Sequence, residues 1–139
     1  MRAYILGGLI ATGLLLTGGT VAAHHSFAAE FDRDKPITVT GTVTKVEWTN
    51  PHVWVYLNVK DKDTGVVTNW GFEMGPPHGL QRRGWRRETL KLGDSVTVAG
   101  SLAKNGAKRM NASTVTLTST GGRPGETLDA ASSGNGPVD

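Results

Sequence analysis

The chain has 139 residues, of which 37% are hydrophobic and 19% charged, with a formal net charge of +3. That length suits one compact unit with tails, and the balance excludes both an unbroken membrane protein and a charge-rich disordered chain. The absence of cysteine excludes a lipoprotein anchor, a disulfide framework and any thiolate metal site, so the fold must hold by packing alone.

Arg2 and the apolar run Tyr4–Leu16, interrupted only by Gly7, Gly8, Thr12 and Gly13, read as the opening of a signal peptide. The run is shorter than the roughly 20 residues that span a bilayer. Val21 and Ala23 put small residues where a signal peptidase reads, which predicts a leader over residues 1–23 cut after Ala23. The expected product is periplasmic, with no transmembrane segment left. Cleavage removes Arg2 and leaves 14 basic against 12 acidic residues, a net +2 too mild to argue for nucleic acid.

Residues 24–35 read as an N-terminal arm. From Pro36 to Trp48, Ile37, Val39, Gly41 and Val43 alternate with Thr38, Thr40, Thr42 and Thr44, the period of a strand. The apolar phase then slips to Val46 and Trp48, which predicts a bulge near Lys45 or a bend at Gly41. After the turn at residues 49–51, Val53, Val55, Leu57 and Val59 alternate with His52, Trp54, Tyr56 and Asn58. One face of this second strand is aliphatic and the other aromatic and polar. Residues 61–65 read as a hairpin turn, and Val66–Met74 returns as a third strand.

Residues 75–87 break the β pattern behind two prolines, and Leu80, Gly84 and Trp85 suit a short helix or turn plugging one end of a barrel. Ser95–Leu102 and Lys108–Thr118 read as strands four and five. Residues 119–139, rich in Gly, Ser, Pro and Asp, predict a disordered tail. The fold class expected is all-β: a small five-stranded OB-fold-like barrel over residues 36–118, with a helical insert between strands three and four. A β-sandwich would want more strands than this chain supplies.

Five blocks carry a further signal: HHSFAAEFD from His24, GTVTKVEWTNPHVWVYL from Gly41, NWGFE from Asn69, LQRRGW from Leu80 and LKLGDSVTVAG from Leu90. Together they resemble a family of exported bacterial proteins catalogued as domain of unknown function 6152, over His24 to about Leu117. The resemblance implies an exported OB-like domain and carries over no catalytic residues.

Three constellations are candidates for function. Cleavage after Ala23 makes His24 the N-terminal residue, whose amine and imidazole, with pKa values of about 7.7–8.0 and 6.5, can both be deprotonated by a metal near neutral pH. Cu(II) suits such nitrogen ligands, and His25, His52 or His78 could complete the set. The competing reading makes His24 and His25 a solvated terminus, stacks His52 on Trp54 and has His78 cap a turn. Second, Trp54 and Tyr56 line the strand that, with strand three, forms the usual OB-fold ligand surface, unless an insert or arm covers them. Third, Arg82, Arg83, Arg86 and Arg87 could grip carboxylate or phosphate, or form a solvated face over Trp85. An anionic glycan, lipid or envelope protein is the partner these two suggest. The sequence holds no G-x-S-x-G elbow, H-E-x-x-H helix or Gly-rich phosphate loop, so it points to a binding protein and not an enzyme.

Overall fold

The computed structural model describes residues 27–119 and 125–131. The predicted leader, its cut site, His24 and His25 lie outside these residues. A single helical turn, α1 (Phe27–Glu30), leads into β1 (Phe31–Glu47), β2 (Trp54–Lys60) and β3 (Val67–Glu73). A short helix, α2 (Pro77–Arg82), then precedes β4 (Ser95–Ala103), β5 (Arg109–Ser119) and a three-residue β6 (Thr127–Asp129). Pro77 opens α2 in its first turn, where a missing amide hydrogen leaves no bond unmade.

The strand order is β3-β2-β1-β4-β5-β6, and a parallel pairing of β3 with β5 closes the first five into a barrel. This is the expected OB-like architecture with one strand added. β1 spans 17 residues because it serves two neighbours, pairing with β4 up to Thr42↔Ser95 and with β2 from Thr42↔Asn58 onward. Gly41 sits at the hand-over. A Cβ there would come within 2.6 Å of the Asn58 carbonyl oxygen, so only glycine lets the strands close in at the bend. The register also slips between Val43 and Lys45, so the phase change in the sequence is a bulge following the bend.

Inward side chains of alternating register fill the barrel: Val55, Leu57, Phe72, Val96, Val98 and Val115 are all essentially inaccessible. Leu80 and Trp85, from α2 and the segment after it, close one end, as their sequence suggested. The β2–β3 hairpin is tied by the Asp61 carboxylate, which accepts bonds from the Thr64 amide (2.7 Å), the Thr64 hydroxyl (2.9 Å) and the Asp63 amide (3.0 Å). These bonds, the Thr64 amide first, hold the Asp61 carboxyl below its usual range.

Two boundaries differ from the sequence reading. β1 begins five residues before Pro36, because Phe31 is buried and pairs with Ala103, while the charged stretch 32–35 forms an irregularity before pairing resumes at Pro36↔Ser101. The expected disorder after Ser119 also fails to extend to residues 125–131. There β6 pairs with β5, the Ala130 amide donates to the Ser113 carbonyl (2.9 Å), and Ala130 and Ala131 are buried. The Gly75 amide donates in turn to the Ala130 carbonyl (3.0 Å), so this return segment seals the same end of the barrel as Trp85. Among the described residues no helix is long and apolar enough to cross a membrane.

Candidate functional site

Strand alternation that buries Val55 and Leu57 obliges Trp54 and Tyr56 to point outward on β2. Both are partly exposed, and their rings stack with centroids 6.5 Å apart and planes 26° from parallel. Tyr56 pairs with Gly71 on β3, and the missing side chain there makes the floor on which the rings lie. A Cβ at Gly71 would come within 3.3 Å of the Tyr56 ring and 3.7 Å of the Trp54 ring. Neither α2 nor α1 covers this platform; instead a cation lies over each ring. The Arg109 guanidinium is 4.5 Å from the Trp54 centroid and the Lys45 ammonium 5.3 Å from that of Tyr56.

Both cations arrive through features of the barrel. Lys45 is turned outward by the bulge in β1, and Arg109 is the first residue of β5, set beside Gly71 by the β3–β5 pairing that closes the fold. Lys108, one residue earlier, lies 5.2 Å from the Trp70 ring. Glu47 completes the edge: it accepts the Tyr56 hydroxyl at 3.1 Å and pairs with Lys45. The Lys45 bond, then the Tyr56 bond, hold the Glu47 carboxyl below its usual value, while Glu47 raises that of Lys45. Burial, then the bond to Glu47, push the Tyr56 hydroxyl up. All three groups are thereby fixed in their ordinary charge states at neutral pH.

His52 stands two residues before Trp54, just ahead of β2. Its Nδ1 is 3.1 Å from the Met74 carbonyl oxygen and 3.2 Å from Glu73 Oε1. A carbonyl can only accept, so Nδ1 carries the proton and the neutral ring has its lone pair on Nε2. His78, in α2, is exposed, and among the described residues no three His, Asp or Glu side chains converge on a metal-sized site.

The arginine cluster divides. Arg83 donates to the Ala131 carbonyl and pairs with Asp129 (3.5 Å), and Arg86 donates to the carbonyls of Trp85 (2.8 Å) and Gln81 (3.3 Å). Arg83 therefore ties the end of α2 to the return segment and Arg86 ties the turn after α2 back to that helix, while Arg82 and Arg87 are exposed. The opposite outer face carries no ring or charge in its central row: Thr40, Thr97, Thr116 and Thr127 align across four strands, with hydroxyl bonds of 2.8 Å (Thr40 to Thr97) and 2.9 Å (Thr116 to Thr127). Rings and cations gather on the β1–β2–β3 side.

Residues 13–112 match a family of unknown function, DUF6152. The chain belongs to that family. No curated protein matches the sequence of this DUF6152 member. Among solved structures it is similar to the ZRD-deleted mutant of TiaS in complex with agmatine, with a TM-score of 0.48 and 16% identity. That similarity covers 68% of this chain and 26% of the TiaS chain, so the DUF6152 domain spans about a quarter of its length.

Proposed function

We propose that this DUF6152 domain is a non-catalytic binding module that takes an acidic saccharide on the outer face of β1, β2 and β3. The observation that carries this reading is the stacked Trp54–Tyr56 pair with a basic group over each ring. A sugar ring offers apolar C–H faces that pack against the indole and phenol surface left open beside the two cations, and its acidic substituents match Arg109 and Lys45. The same face of OB-folds is the usual place for oligosaccharides and oligonucleotides. Glu47 and Glu73 beside the platform, and a formal net charge of only +3, favour a sparsely charged glycan over a nucleic-acid backbone with its dense row of phosphates. Ordinary charge states for Lys45, Glu47 and Tyr56 fit binding, since catalytic groups are commonly tuned towards neutral pKa values. With export after Ala23, the ligand belongs to the cell envelope.

Titration with an oligogalacturonate, followed by tryptophan fluorescence, tests this. The expected result is a saturable change in emission that weakens as salt rises, since exposed charges are screened within about 10 Å at 0.1 M. No change, or one indifferent to salt, contradicts it.

A second reading rests on His52. Its Nδ1–H is bonded to a carbonyl and a carboxylate, the arrangement that orients a histidine for metal ligation through Nε2. With the amine and imidazole of a processed His24 it would supply nitrogen ligands suited to Cu(II). Calorimetry with Cu(II) is expected to show weaker binding both when one residue is added before His24 and in His52→Ala. Equal affinities in all three proteins remove the reading.

A further inference from the structure

Arg109 belongs to two places at once. It lies over Trp54, and it also lines a cleft of about 220 Å³ formed with Glu30, Phe31, Ala103, Lys104 and Asn105, where the start of β1 meets the β4–β5 turn. Among the described residues nothing accepts a hydrogen bond from its guanidinium or pairs with it, although it is exposed. A guanidinium whose centre lies 4.5 Å from an indole centroid, with no N–H group bonded among the described residues, has its fork available for the two parallel bonds a carboxylate accepts. The cleft is smaller than the roughly 300–1,000 Å³ of typical drug-sized sites, which suits a single substituted ring and not a chain. Its other polar groups suit hydroxyls. The Asn105 side-chain oxygen already accepts the Ala107 amide (3.0 Å), which orients its NH2 group as a donor.

We propose that Arg109 and this cleft form a carboxylate subsite, which selects a uronic acid unit at the end of the glycan that rests on Trp54 and Tyr56. The inference depends on the saccharide reading above and narrows it: the acid group is a planar carboxylate on the Arg109 edge. Lys104 is tied to the Ala28 carbonyl (2.6 Å) and so adds local positive charge without competing for the fork.

The test compares oligogalacturonate and oligoglucuronate with the same oligomers methyl-esterified, which keeps the rings and removes the charge. Isothermal titration of the full chain is expected to show the acids binding at least about tenfold tighter than the esters, as a charge-assisted bidentate bond implies. Arg109→Gln is expected to abolish that preference, bringing acid and ester to similar affinities. Arg109→Lys, which keeps charge and loses the fork, is expected to restore only part of it. Equal binding of acid and ester, or a preference that survives Arg109→Gln with an unchanged melting temperature, overturns the subsite and leaves the aromatic platform standing. Failure of both acid and ester to bind the natural protein overturns the subsite together with the saccharide reading.

Discussion

Trp85→Ala is expected to destabilise the domain by about 3–5 kcal/mol, a large part of the 5–15 kcal/mol that holds a typical small domain folded. Trp85 is only 1% exposed, and its ring belongs to the same buried cluster as Leu80, Leu90 and Met74. Truncation removes the ring from a packed end of the barrel and leaves a cavity. It also removes the indole N–H that donates to the Asp129 carbonyl at 2.7 Å, so that the segment carrying Ala130 and Ala131 loses an anchor 44 residues away in sequence. Trp85→Phe separates the two losses: most of the burial remains, and the missing bond alone is expected to cost about 1 kcal/mol. Urea unfolding measures the sum, and hydrogen exchange at the Ala130 amide, bonded to Ser113, reports release of the return segment. A change under about 1 kcal/mol in Trp85→Ala, with Ala130 still protected, would contradict this picture of the closed end.

The sequence made the barrel legible where residues alternate. Val53, Val55 and Leu57 against Trp54 and Tyr56 state which face of β2 is inside, and the slip after Val43 announces the bulge. The plug was equally legible, because Leu80 and Trp85 are large apolar residues in a segment with no strand period. The return segment was hidden for the opposite reason. Three residues of strand show no period, and its buried members, Ala130 and Ala131, are too small to stand out in a Gly- and Ser-rich stretch. The start of β1 was masked by four consecutive charged residues, Asp32 to Lys35, around a stretch where the ladder with β4 is irregular. At the site, the aromatic pair could be read from β2 alone. Its two cations could not: Lys45 depends on the bulge, and Arg109 depends on a pairing between strands nearly forty residues apart. The signal for Arg109 was present only at the level of topology, since closing such a barrel sets the first outward residue of β5 beside β3. In the sequence, four guanidiniums in six residues look like one patch, whereas the structure bonds Arg83 and Arg86 to carbonyls.

Trp54→Ala is expected to weaken binding of an acidic oligosaccharide by about ten- to a hundredfold. Stacking of a nucleobase on an aromatic side chain contributes about 1–3 kcal/mol by alanine substitution, which sets the scale for a sugar face on Trp54, and here the same change also removes the ring over which Arg109 lies. Stability should change little, because Trp54 lies outside the buried cluster and its neighbours Val53 and Val55 keep their places in the core. The titration of oligogalacturonate into Trp54→Ala beside the natural protein, with melting temperatures measured on both, therefore bears most directly on the claim that this face is the ligand site. A loss of tenfold or more at an unchanged melting temperature is the expected result; equal affinities for the two proteins would contradict it.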